Sequence, residues 1–235
     1  MNILAIDTST SFASIAVARD GQTVAESLFG TDRTLSARLL PEISRLLAIA
    51  GLEMNEIDLF GCGLGPGSFT GIRAGVATIQ GLALATGTPC TGFSSLAMLA
   101  MNAFGGSGPV CSLLDARKNE VYAGLYDCSS PIPSPFRPDC VVAPQLLAGR
   151  LCDITDQPVL FVGDGALRYR DVLAELMGDR ALFAPPSAMN GRAAHGTFLA
   201  GQAFLNGCDP SPAALLPTYI RPSEAELNRR SIPRP

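Results

Sequence analysis

Lysine and histidine are almost missing from this chain. Of its 235 residues, Lys118 is the only lysine and His195 the only histidine. A Walker-type loop needs a lysine to reach the terminal phosphates of a nucleotide, and none stands beside the glycine-rich segment described below. A metal site built on two histidines is excluded by count. A serine nucleophile would lack a nearby imidazole base. Charge is also scarce, at 16% of residues with a net charge of −4, so no global basic field exists to hold a nucleic acid. No charged residue occurs between Arg73 and Asp115. Gln80, Gly87, Pro89, Ser94, Ser95 and Asn102 cut that stretch into pieces too short and polar for a bilayer, so it reads as buried core. "MNILAIDTST" has no basic n-region and meets Asp7, which excludes a signal peptide and predicts a cytoplasmic protein without membrane contact. The seven cysteines are odd in number and none has C-x-x-C spacing. That argues against a disulfide framework or zinc knuckle and for reduced thiols acting as small hydrophobes.

What is present is an apolar globular chain, 47% hydrophobic. "NILAID" (2–7) has strand length, and "FASIAVARDGQTVAESLF" (12–29) is two alternating runs joined at Asp20-Gly21, a hairpin signal. Leu35, Leu39, Ile43, Leu46 or Leu47 and Ala50 recur at helical spacing until Gly51. "IDLFGCGLG" (57–65) is a buried strand, followed by a helix from about Thr70 to Ala85 and by "CTGFSS" (90–95), a short strand. "GGSG" (105–108) divides the chain. Beyond it, 109–127 gives two strands around a turn at Arg117 to Asn119, 158–166 a strand and turn, and 169–178 a helix. These elements predict a mixed α/β fold of two similar lobes, 1–104 and 105–190. A returning helix at 191–207 is expected between the lobes and joined to the first, and 208–235 is a partly loose extension.

"GLGPGSFTGIRAG" (63–75) resembles a phosphate-cradling loop. Gly65, Gly67 and Gly71 are spaced G-x-G-x-x-x-G, one residue too long for the dinucleotide fingerprint, and Ser68 lies in no G-x-S-x-G elbow. Gly65 and Gly67 permit unusual backbone, and Ser68 or Thr70 can cap the following helix. Free N–H groups there could still hold an anion. Gly71, Ala74, Gly75, Ala77, Thr78 and Gly81 form a small-residue face for close approach, so packing is the favoured reading. Asp7, Thr8 and Ser9 form a second candidate, a turn able to orient metal-bound phosphate or water, or simply to close a strand. Asp115, Arg117 and Glu120 form a polar cluster, read equally well as a cleft surface or as an exposed hairpin. His195 reads as structural.

"ILAIDTST", "LLP" (39–41), "GLGPGSFTGIRAG", "DARKNEVYAGLY" (115–126) and "PTYIR" (217–221) occur in order along nearly the whole chain. Together they resemble the bacterial TsaB (YeaZ) family. The resemblance implies the two-lobed actin-like ATPase fold and a part in making N6-threonylcarbamoyladenosine on tRNA. It implies a non-catalytic subunit that binds the paralogous transferase TsaD, lets the ATPase TsaE join, forms homodimers alone, and meets tRNA only through the complex. The transferase's H-x-x-x-H metal motif has no counterpart in "RTLSARLLP", and relatives' histidine at the position of Leu35 is also absent. No metal or cofactor is required, though a nucleotide at the interface with the partner stays open. The implied partner face comprises Leu35, Leu39, Leu40 and Ile43 on one helix and Gly71, Ala74, Gly75 and Thr78 on the next. Two rival readings are a small actin-like ATPase or phosphotransferase using Asp7 and the glycine loop, with "GDGA" (163–166) as a second phosphate loop, and a hydrolase using Ser68. The arginines of the tail, Arg229, Arg230 and Arg234, are the one candidate for direct tRNA contact.

Overall fold

The computed structural model describes residues 1–31, 35–106 and 108–221. The tail with Arg229, Arg230 and Arg234 lies outside the described residues.

Alternating apolar residues build the first sheet. β1 (Asn2–Asp7) pairs antiparallel with β2 (Phe12–Arg19), and β2 with β3 (Gln22–Gly30). The β2–β3 turn places Asp20 and Gly21 both at positive φ (51° and 80°), the twist a two-residue hairpin requires. β4 (Leu59–Gly63) and β5 (Cys90–Phe93) add parallel to β1, giving the order β3-β2-β1-β4-β5. β1 is apolar on both sides because both are covered. Leu4 and Ile6 pack under α1 (Leu35–Ala50) and α2 (Phe69–Thr86), whereas Ile3 and Ala5 face α7 (Ala193–Leu205).

The helices start and stop for local reasons. Ser68 caps α2, its Oγ accepting the Gly71 N–H at 3.3 Å. Gly87 ends α2 in the left-handed conformation (φ 72°) and donates its N–H to Ala83 O. α7 is rich in small residues because it lies close on the first sheet. A Cβ on Gly196 would press on the Phe93 ring, and Ala200 already crowds Gly61. The helix covers the open face of the first sheet across β1, β2, β4 and β5, and it also packs on α3 (Ser95–Ala100).

The second sheet repeats the first in reduced form. β6 (Pro109–Asp115) and β7 (Val121–Asp127) form a hairpin, and β10 (Val159–Val162) and β11 (Ala181–Phe183) continue it in parallel from β6. β7-β6-β10-β11 thus matches β2-β1-β4-β5. Short β8 (Ser134–Pro135) and β9 (Cys140–Val142) pair with β7. α3 (Ser95–Ala100) packs on β6 and β7; α5 (Asp164–Arg168) follows β10, and α6 (Arg170–Met177) packs on α4 (Pro144–Ile154). Sequence reading assigns nothing to α4. Its signal is nonetheless present, with Pro144 at the helix start and Leu147, Ala148 and Leu151 buried at helical spacing. Each lobe has its own core, one centred on Phe161 and Leu113, the other on Phe60 and Ile43.

All seven cysteines are free thiols. Among the described residues no helix is long and apolar enough to cross a membrane, and no three His, Cys, Asp or Glu side chains gather where a metal could bind.

Candidate functional site

The glycine-rich loop and the Asp7 turn are one packed unit. A Cβ on Gly63 would overlap the Asp7 carboxylate, one on Gly67 would overlap Ser9 O, and one on Gly71 would overlap Thr8 O. The glycines are therefore spaced to admit the 7–9 turn. Hydrogen bonds fix the fit. Ser68 N–H donates to Ser9 O at 2.7 Å and Thr8 Oγ1 donates to Gly71 O at 2.7 Å. Gly75 leaves room for Thr8 Oγ1, and Gly65 takes φ 96°. Asp7 is buried, 3% exposed. Its Oδ1 accepts from the Ser9 N–H (3.0 Å) and Ser9 Oγ (2.7 Å), and its Oδ2 accepts from Ser95 Oγ. Ser95 N–H in turn donates to Gly65 O. Both carboxylate oxygens are thus engaged in tying β1, the glycine loop and the head of α3 together. Three of the roughly four acceptor positions of the carboxylate are therefore taken up inside the protein.

Between the lobes lies a cleft of about 1340 Å³. Residues 9–11, Ser68, Phe69 and Arg73 line it from the first lobe, and 114–117, Tyr122, Asp164 and Arg168 from the second. Thr70, beside the cleft wall, is exposed. Asp115 is the polar hub. Its carboxylate accepts from the Arg117 N–H (3.0 Å) and from Arg168 Nη1 (3.2 Å), and its own N–H donates to Asp164 Oδ1 at 3.0 Å. Burial raises the Asp164 carboxyl above its ordinary value, opposed by the N–H groups of Asp115 and Gly165. Arg117, Lys118 and Asn119 all take left-handed conformations (φ 61°, 53° and 58°), a costly turn for non-glycine residues. Glu120 departs from the predicted cluster: it pairs with Arg221, whereas Asp115 and Arg117 line the cleft. Sequence reading misses Arg73, Arg168 and Tyr219 as cleft residues, and reaches Asp164 only as part of the rival phosphate loop. "GDGA" is no open loop, since Gly163 (φ 108°) leads straight into α5 and abuts Leu113 O.

The predicted partner face needs correction. Leu39 and Ile43 are fully buried against the sheet, and Gly71 and Gly75 are buried against Thr8. These four belong to the core because the sheet takes the apolar stripe of both helices. Leu35, Ala74 and Thr78 are half-buried, and Leu40 is 52% exposed. The outward face also carries Ile49, Ala77, Gly81 and Leu84, the last 74% exposed. Gly81 has open space where a Cβ would stand.

His195 is half-buried in α7; burial first, then Arg192, lowers its pKa from the ordinary 6.5. It lies across the first sheet from Ser68, whose hydroxyl is engaged as the α2 cap. No serine–histidine pair forms.

Residues 30–181 match the family model described as TsaD, tRNA N6-adenosine threonylcarbamoyltransferase. The chain is 30% identical over 231 residues to the tRNA threonylcarbamoyladenosine biosynthesis protein TsaB of Bacillus subtilis, with 96% of each chain covered. It superposes with TM-score 0.80 and 30% identity on a Pseudomonas aeruginosa structure described as an uncharacterized protein with similarity to peptidase YeaZ, covering 94% of this chain and 99% of that one. It also superposes on the ROK hexokinase of Thermus thermophilus with TM-score 0.52 and 14% identity, covering 88% of this chain and 100% of the hexokinase. The last likeness concerns fold alone. With two sheets built on one repeated plan, the fold is the actin-like α/β architecture.

Proposed function

Because the chain belongs to the TsaB (YeaZ) family, we propose that it is a non-catalytic assembly subunit in tRNA threonylcarbamoyladenosine biosynthesis. Its partner is a TsaD-like transferase, which places the threonylcarbamoyl group on N6 of the adenosine next to the anticodon. Docking uses the outer face of α2, where exposed Ala77, Gly81 and Leu84 share one side, together with the adjoining exposed part of α1. The same face joins two copies when the transferase is absent, and a TsaE-like ATPase joins through the complex. A net charge of −4 fits tRNA contact made through the partner. The site of action is the cytoplasm. No cofactor is required by the chain itself; a nucleotide at the joint interface is compatible with this role.

Gly81 carries the reading. A glycine in a helix interior costs about 0.5–1 kcal/mol relative to alanine. Nothing among the described residues requires one there, because a Cβ would meet none of their atoms within 4 Å. A helix pressed onto α2 from another molecule supplies the missing reason. The engaged oxygens of Asp7 support a subunit without chemistry of its own.

Reconstitution tests the proposal. The adenylate-forming enzyme, the transferase, the ATPase, tRNA, threonine, bicarbonate and ATP are combined with and without this chain, and modified adenosine is quantified by mass spectrometry. Modification that depends on the chain, and persists with Asp7→Asn, is expected. Equal modification without the chain would overturn the assembly role.

A further inference from the structure

After α7 the chain stays on the first lobe. Pro210 O accepts the Cys90 N–H at 2.9 Å, and Gln80 Nε2 donates to Pro212 O (2.9 Å) and Leu215 O (3.1 Å). Leu215 is buried in the core under α1 and α2. Thr218 N–H then donates to Leu64 O at 2.8 Å, and the Tyr219 ring stacks on Phe69 with centroids 5.1 Å apart. Two residues later the chain reaches the other lobe. Arg221 Nη1 donates to Ala116 O at 2.8 Å, and Nη2 pairs with Glu120. Ala116 and Glu120 are the two ends of the β6–β7 turn, joined by the Ala116 N–H to Glu120 O bond at 3.0 Å. One guanidinium therefore holds both ends of that turn.

We propose that residues 217–221 are a latch that crosses the mouth of the interlobe cleft and sets how far the lobes open. Three features support this. Among the described residues, the segment is anchored to the first lobe by a backbone bond and a ring stack, and to the second through one arginine side chain. Tyr219 and Arg221 form a wall of the cleft itself. The permanent connection lies elsewhere, where α3 packs on β6 and β7 and Ser95 holds Asp7. A hinge on one side and a clasp on the other make opening depend on the clasp. The clasp is reversible by construction, since the Arg221 and Glu120 side chains keep 21% and 38% of their surface in solvent, where an ion pair is weak and screened by salt.

Hydrogen exchange on the full chain, followed by mass spectrometry, tests the latch with Arg221→Ala. Exchange in peptides spanning 64–69 and 114–121 is expected to rise about two- to five-fold, the factor for losing a surface pair. Interior amides of β1 and β6 are expected to stay unchanged. Salt raised from about 0.05 to 1 M should reproduce the effect in the natural chain, and should add nothing in Arg221→Ala. Exchange that changes only within 217–221, or nowhere, overturns the proposal, because the segment is then a packed tail. Should Arg221→Ala also speed the β1 and β6 amides, Glu120→Gln, which removes charge but keeps size, decides between the same outcomes.

Discussion

Gly71 and Gly81 sit in one helix and invite one substitution, glycine to alanine, with opposite expected results. At Gly81 the new methyl meets no atom of the described residues within 4 Å. Only helix propensity acts, so the isolated chain should gain about 0.5–1 kcal/mol. For a chain of this size that raises Tm by about 1–4 °C. At Gly71 the methyl would overlap the carbonyl oxygen of Thr8, a backbone atom that cannot swing aside. Forcing the turn away costs about 1–3 kcal/mol as overpacking. It also endangers the Thr8 Oγ1 bond to Gly71 O, worth about 0.5–1.5 kcal/mol, so the propensity gain is outweighed. A fall of roughly 2–12 °C is expected. Differential scanning calorimetry of the three proteins reads both effects. Binding to the transferase, by titration calorimetry, reads a third: if α2 is approached closely at Gly81, the stabilised Gly81→Ala chain should bind roughly ten-fold more weakly, a loss of about 1.4 kcal/mol. A neutral or stabilising Gly71→Ala would refute the packed-loop account. Unchanged affinity in Gly81→Ala would remove the argument for a docking helix.

Three further outcomes are expected. Ala77→Arg should keep Tm within about 2 °C yet abolish partner capture and self-association by light scattering, whereas Leu39→Asp, at a fully buried position, should prevent folding. Ser95→Ala leaves Asp7 Oδ2 without its donor and should cost about 1–3 kcal/mol in urea unfolding. His195 has a folded pKa below its ordinary 6.5, so the unfolded chain binds the proton more readily. Its contribution to stability is present above pH 6.5 and is lost as pH falls through that value toward the folded pKa. His195→Gln should flatten the melting temperature between pH 7 and 5, and an unchanged slope would contradict the assignment.

The elements of the fold are legible in the sequence where local chemistry is strong. Asp20-Gly21 marks a hairpin, Ser68 a helix start, Gly87 its end, and alternating or helical spacing the strands and helices between. The scarcity of lysine and histidine restricts the chemistry by residue count alone. α4 is not assigned from the sequence although its apolar spacing is present, and the partner face is predicted in the wrong direction at Leu39, Ile43, Gly71 and Gly75. An apolar stripe shows that a helix face is covered, and does not show by what. Only assembly of the sheet decides that these residues are core and that Leu40, Gly81 and Leu84 face outward.

By itself, then, the sequence determined the two-lobed α/β plan and the helix caps, because these follow from neighbours within a few residues, and its residue count made histidine and lysine scarce. The tertiary structure alone decided that Asp7 is held by Ser95, 88 residues away, and that Arg221 clasps Glu120, 101 residues away. Such pairs leave no mark on local pattern; they exist because folding brings distant carboxylates and their donors to one place.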